Sequence, residues 1–257
     1  AAWAVLLGAV VAISVIAVSV LTGRAGLRLR LSQLRPTLAG FLDLLRPGLL
    51  AALSPLSSIA TISVITALVA RQGEAVLAGF GIGTRMEFLL IPVVFGIGAA
   101  LITLVGVHFG AGEIERGHRV AWTGALAAAV LTGAIGAILA LFPDLWANRF
   151  SDVEAVRQAC RSYLRIVGPF YGFFGLGLAL FFASQGARRL AWPIMPGLLR
   201  LAVIAVSGTV MTTYWQVSAE QLFALIAIGL VVYGLGMATV VKFGAWRQGQ
   251  VSADAPA

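Results

Sequence analysis

Two charged residues stand inside an otherwise apolar stretch: Arg85 and Glu87, in Gly83-Thr84-Arg85-Met86-Glu87. A charge at membrane depth is costly and as a rule faces a water-filled cavity or a partner of opposite sign. Counted from about Val76 at 1.5 Å per residue, Arg85 lies about 13 Å along its helix. The two residues are i and i+2, so they point to different faces and each must find its partner elsewhere. A guanidinium holds its proton far above physiological pH. It can bias a carboxylate across a cleft toward the charged form, but it cannot release a proton. The expectation is that Arg85 matters more than any other residue here. A structural ion pair between helices would use the same two side chains.

A second polar group lies upstream. Ser54, Ser58 and Thr61 recur at i, i+4 and i+7, with Ser57 and Ser63 beside them. Such a stripe either bonds neighbouring helices or lines a wet path. A third stretch carries Phe170, Tyr171, Phe173, Phe174, Phe181 and Phe182. Rings facing a cleft can hold amphipathic cations; rings facing lipid or core only pack. The candidate substrate and ion pathway is therefore Arg85, Glu87, Ser54, Ser58, Thr61, Tyr171 and Phe174. Nothing points to bond-making chemistry. Cys160 is the one cysteine, and His108 and His118 stand ten residues apart, a spacing that matches no zinc motif. No nucleophile–base pair or metal cluster falls within the apolar stretches, so no catalytic residue, metal or cofactor is expected, and an enzyme is not.

Composition says what must carry these residues. The chain is 60% hydrophobic and 11% charged, with a mean hydropathy of +0.98; soluble domains have about 25% charged residues. Its apolar runs repeatedly exceed the ~20 residues that cross ~30 Å of hydrocarbon as a helix. The spacing predicts an all-α, polytopic membrane bundle of about seven helices. They run from about Ala1 to Leu21, Arg46 to Ala70, Val76 to Val107, Arg119 to Phe142, Cys160 to Gln185, Pro193 to Trp215 and Gln221 to Lys242. Ser151-Asp152-Val153-Glu154 has the pattern of a capping box, and Gly110-Ala111-Gly112 that of a helix-ending turn. Gly124 and Ala128 let helices approach closely. Pro55, Pro92 and Pro169 bend their helices, which favours an internal cavity.

The net charge of +8 does not imply nucleic acid, because the basic residues lie in short segments between apolar stretches. Arg24, Arg28, Arg30, Arg35, Arg46, Arg116, Arg119, Arg188, Arg189, Arg200, Lys242 and Arg247 fall to one side. Arg71, Arg149, Arg157, Arg161 and Arg165 fall to the other. The positive-inside rule then puts the C-terminus in the cytoplasm.

The most specific text runs from Ala78-Gly79-Phe80-Gly81-Ile82-Gly83-Thr84-Arg85-Met86-Glu87 through Ile91-Pro92 and Gly96-Ile97-Gly98-Ala99-Ala100. It continues with Leu104-Val105-Gly106-Val107-His108-Phe109-Gly110-Ala111-Gly112 and closes at Arg116. It resembles the multidrug and toxic compound extrusion (MATE) family, whose members show such a stretch in the second helix of a six-helix repeat. Tyr163-Leu164-Arg165 and Ser184-Gln185-Gly186-Ala187 also fit, and the resemblance covers about residues 40 to 247. It implies that 40–247 is a C-terminal six-helix lobe and 1–22 the last helix of a missing N-terminal lobe. Residues 23–39 become a basic cytoplasmic linker and 248–257 a disordered tail. A faint match of 8–23 to 229–244, and a start at Ala1-Ala2-Trp3 without Met, fit a chain that begins partway through a longer one.

The resemblance also implies function: antiport of drugs or amphipathic or cationic metabolites against H⁺ or Na⁺, without another cofactor. The implied partners are the bilayer, that small-molecule substrate and the other lobe; the implied place is a bacterial inner membrane. Some relatives carry carboxylates where Ser58 and Phe174 stand here, so this lobe should lack that acidic cation site. In some relatives an Arg at the place of Arg85 takes part in coupling. A lipid-linked oligosaccharide flippase, expected to line its cavity with several Arg or Lys, is the alternative, as is a half-transporter that moves nothing.

Overall fold

In the computed structural model the described residues are 7, 8, 10, 11, 13–15, 17, 18, 38–243 and 246. The first predicted span is described only in part. The linker up to residue 37 and the tail 248–257 lie outside the described residues. The chain divides into two units, 1–46 and 47–257. In the first, the described residues between 7 and 18 are helical.

The described helices are α1 (Leu38–Ala70), α2 (Glu74–Gly110), α3 (Ile114–Leu141), a single turn α4 (Asp144–Ala147), α5 (Glu154–Val167), α6 (Tyr171–Gly186), α7 (Met195–Tyr214) and α8 (Ala219–Phe243). A 3₁₀ turn, Gly168–Phe170, joins α5 to α6. Six stretches are long and apolar enough to cross a membrane: Ala52–Ala70, α2, α3, Glu154–Gly186, α7 and α8. Lipid-compatible surface covers them, with Val130 71% and Leu141 73% exposed. Apolar faces that water would penalise are ordinary against lipid tails. The chain is an integral membrane protein.

With little hydrophobic drive between helices in lipid, small residues decide which of them close up. α3 and α6 are drawn together by glycine. A Cβ on Gly175 would come within 2.2 Å of Thr132 Oγ1 and 2.8 Å of the Ala128 carbonyl. One on Gly136 would strike the Gly168 carbonyl at 2.0 Å. The expected close approach at Gly124 is also present, with the Leu101 side chain of α2 against it. α2 admits α5 in the same way. Gly79 lies against Ala159 and the Val156 carbonyl, and Gly83 against the Tyr163 ring. α1 joins the core toward its C-terminal end, where Ile65, Leu68 and Val69 pack with Ile204, Leu222, Leu225 and Ile226.

The turns explain themselves locally. α2 ends in a Schellman turn in which Glu113 N–H donates to the His108 carbonyl (2.8 Å) and Gly112 N–H to that of Phe109 (3.2 Å). Gly112 takes the left-handed conformation this turn needs, at φ 76°. α6 ends identically, Arg189 N–H to Ser184 and Arg188 N–H to Gln185 (both 3.0 Å), but with Arg188 at φ 55°. The capping box does not form. Ser151 Oγ accepts from Val153 N–H (3.2 Å), and Glu154 binds Arg157 (2.6 Å) and Arg161 (2.7 Å) instead. Two cations one and two turns along outcompete a backbone donor for that carboxylate. α1 begins at Leu38 rather than near Arg46, because Leu38, Phe41, Leu42 and Leu45 continue the apolar helix upstream. Pro55 and Pro92 are accommodated within α1 and α2, and Pro169 sits in the 3₁₀ break.

Candidate functional site

α1 stays clear of its neighbours above its packed C-terminal end, and a cavity of about 460 Å³ opens there. That is within the range of small-molecule sites. One wall is the serine stripe of α1, with Ser54, Ser57, Ser58 and Thr61. α2 supplies Thr84, Glu87, Phe88 and Ile91. The aromatic side of α6 supplies Phe174, Leu178, Phe181, Phe182 and Gln185, and Arg200 of α7 and Tyr233 of α8 complete it.

Five of the seven residues singled out from sequence therefore meet: Ser54, Ser58, Thr61, Glu87 and Phe174. The hydroxyls of Ser57 and Thr61 donate back to their own helix, to Ser54 O (2.8 Å) and Ser57 O (2.7 Å). Toward the cavity they offer acceptor lone pairs. Glu87 follows Gly79 and Gly83 at i+8 and i+4, so the glycine face that admits α5 also brings Tyr163 to the carboxylate. The Tyr163 hydroxyl donates to Glu87 Oε1.

Arg85 and Tyr171 go elsewhere. Arg85 is two residues from Gly83 and so on the opposite side of α2. It is exposed, with its guanidinium carbon 5.6 Å from the centre of the Phe150 ring. Tyr171 directly follows the 3₁₀ turn and is wholly buried. A Cβ on Gly136 would lie 3.1 Å from that of Tyr171, so this side chain fills the α3 interface.

Arg200 is the residue that sequence reasoning assigned to a cytoplasmic segment, and here the structure corrects it. α7 starts at Met195 with Pro196 in its first turn, so Arg200 is already about 8 Å inside the helix at 1.5 Å per residue. Gly229 of α8 admits Ile204, one turn further along α7, since a Cβ there would come within 2.6 Å of Ile204 Cδ1, while Arg200 Cγ would lie at an ordinary contact distance of 3.5 Å. The side chain is 8% exposed and lines the cavity. Its field reaches Glu87, yet no ion pair joins the two among the described residues, and Arg200 Nε has no hydrogen-bond partner. The available signal was an arginine between Leu198-Leu199 and Leu201-Ala202.

The MatE family model matches residues 51–211, well over half of the chain. The chain belongs to the MATE family. Among curated MATE relatives, a probable multidrug resistance protein NorM of Pseudomonas putida is 30% identical over 184 residues. That alignment takes in 68% of this chain and 36% of that protein. A FAD transporter of Shewanella oneidensis is 24% identical over 152 residues, 59% of this chain and 34% of it. A MATE structure in the bent conformation superposes with a TM-score of 0.85 at 22% identity, covering 98% of this chain and 56% of that one. A MOP superfamily transporter of Pyrococcus furiosus, described as having a binding pocket of reverse polarity, gives 0.75 at 21% identity over 88% and 50%. At these identities the structural likeness shows the fold. The chain spans about a third of the length of the curated relatives it matches. Within the MATE stretch, Gly79 and Gly83 serve packing and Gly112 a turn, and Glu87 is the charged residue that reaches the cavity, beside Thr84, Phe88 and Ile91.

Proposed function

We propose that this chain supplies a substrate cavity and an ion-responsive carboxylate to a secondary transporter that moves amphipathic compounds out of the cell against H⁺ or Na⁺. The observation that carries this reading is one cavity, walled by apolar helices, that holds Glu87 and Arg200 together. Glu87 is the group that takes up and releases the coupling ion, with Tyr163 fixing its orientation. The aromatic side of α6 receives the apolar part of the cargo. The partners are the bilayer, the cargo and a second six-helix lobe. The setting is a bacterial inner membrane with the C-terminus inside, which the distribution of Lys and Arg supports. Relatives include a multidrug resistance protein and a FAD transporter, so family membership leaves the charge of the cargo open. A flippase is less well supported, since Arg200 is the sole cation among the described lining residues.

The test is ion-driven flux of a fluorescent amphiphile in proteoliposomes, using the protein at its full natural length. Glu87→Gln should abolish the response to a H⁺ or Na⁺ gradient while leaving expression and the melting temperature near wild type. Arg85→Ala should keep most of the flux, because an exposed cation–π contact contributes only about 0.5–1 kcal/mol. Normal ion coupling in Glu87→Gln would remove Glu87 from the mechanism.

A further inference from the structure

We propose that the cavity takes amphipathic compounds carrying an oxyanion, a carboxylate or phosphate, with Arg200 as the partner of that group and the Phe174–Phe182 side of α6 holding the apolar body. The inference rests on the transport reading only for what happens after binding. Ser58 and Phe174 leave the α1 and α6 walls uncharged, and Glu87 on α2 is the one acid among the described lining residues. What remains is asymmetric. Arg200 is buried, carries a guanidinium, and makes no hydrogen bond or ion pair among the described residues. Its Nε is withdrawn from water with no hydrogen-bond partner, and a buried donor of a charged group costs free energy unless a partner compensates it. Its planar fork of five donors fits a carboxylate or phosphate through two parallel bonds.

The neighbours do not supply that partner. Glu87 lines the same cavity, but one of its oxygens accepts the Tyr163 hydroxyl and it forms no ion pair with Arg200 among the described residues. Ser57 and Thr61 donate to their own helix, and neither accepts a hydrogen bond from Arg200 among the described residues. Arg200 lines the open volume. Facing it are Phe174, Leu178, Phe181 and Phe182, an apolar wall large enough for a short alkyl chain or a fused ring. A single anchored charge with a greasy body is the ligand that such a site excludes least and rewards most.

The experiment measures binding of 11-(dansylamino)undecanoic acid, and of its neutral primary amide, to the full-length protein in phosphatidylcholine nanodiscs. The acid should bind at least about tenfold more tightly than the amide, as expected for a hydrogen-bonded charge. Arg200→Gln should weaken the acid by about 10- to 100-fold and leave the amide unchanged, which also reports that the cavity is intact. Arg200→Lys should restore part of the preference. Displacement of the probe by both dodecanoate and dodecyl phosphate, or by one of them alone, supports the proposal and says which oxyanion the site favours. Equal affinity for acid and amide in the wild-type protein overturns it, without reliance on any variant. So does an undiminished preference for the acid in Arg200→Gln. Saturable binding of cationic rhodamine 6G that neither acid displaces overturns the acid class and leaves the transport reading intact. Acid binding without any ion-driven flux overturns the transport reading and leaves the site standing.

Discussion

The two sides of α6 do opposite things with similar material. On one, Gly172 and Gly175 meet Ala129, Gly133 and Thr132 of α3 so closely that a Cβ at Gly175 has no room. On the other, Phe174, Leu178, Phe181 and Phe182 face a cavity of about 460 Å³ that no helix fills. Both sides are apolar, so hydrophobicity does not distinguish them. The difference is one of size and shape. Glycine and alanine let backbones touch, and the contact is held by dispersion along the whole seam. Bulky side chains opposite a polar stripe on α1 hold the neighbouring helix away, and the gap becomes a site. A membrane bundle can thus position its function by where it leaves glycine out.

The largest effect should come from blocking the closed side. Gly175→Val drives a methyl into Thr132 and should cost about 3 kcal/mol or more, seen as loss of monodisperse protein after detergent extraction. A well-folded variant would show that the seam tolerates a full side chain and that the contrast is false. Filling the open side should do the reverse. Leu178→Trp should change stability by less than about 1 kcal/mol while cutting flux at least about tenfold through misplaced cargo. A thermal melt and a flux assay on the same sample separate the two.

Smaller effects test how α6 and its neighbours are held. Arg188 stops α6 in a left-handed conformation that glycine adopts at no cost and other L-residues at about 1 kcal/mol. Arg188→Gly should therefore raise stability by about that amount and leave the cavity unaltered, with the melting temperature as the measure. The weakest effect belongs to the exposed α2–α3 turn. The bond from His108 (2.8 Å), and then Arg116 (3.0 Å), hold the Glu113 carboxyl below its ordinary value of 4.5. A group depressed on folding stabilises above its unfolded value and loses that contribution as pH falls through the folded one. Amide exchange at 111–113, corrected for intrinsic rates, should accelerate as pH falls below about 4.5. Glu113→Gln should abolish that dependence.

Much of the site was legible in the chain itself. A polar stripe at 54, 58 and 61, a lone carboxylate at 87 and a ring at 174 each break an apolar pattern, and helical periodicity puts each on a definable face. The two that lie outside this cavity do so for a geometric reason. Arg85 and Glu87 are equally conspicuous as charges, but 200° of helical rotation separates glycine's face from Arg85. Only the docking of α5 on Gly79 and Gly83 says which face looks inward. Arg200 was missed because a positive charge near a helix end reads as an interfacial anchor. Whether such a residue turns out to water or in to a cavity depends on which helices pack beside it, here α1, α2, α6 and α8.

By itself, then, the sequence determined what the bilayer enforces. Apolar length sets which segments span, because every backbone group must be satisfied within its own helix, and glycine marks where a turn needs a left-handed residue. The tertiary structure decided which helices touch and which stand apart. That choice turns on atoms brought together from distant positions: Gly136 with Gly168, Gly83 with Tyr163, and Gly229 with Ile204. Local periodicity carries no information about such pairs. In lipid the free-energy differences among packings come from dispersion and a few hydrogen bonds rather than from burial of apolar area, so composition cannot rank them.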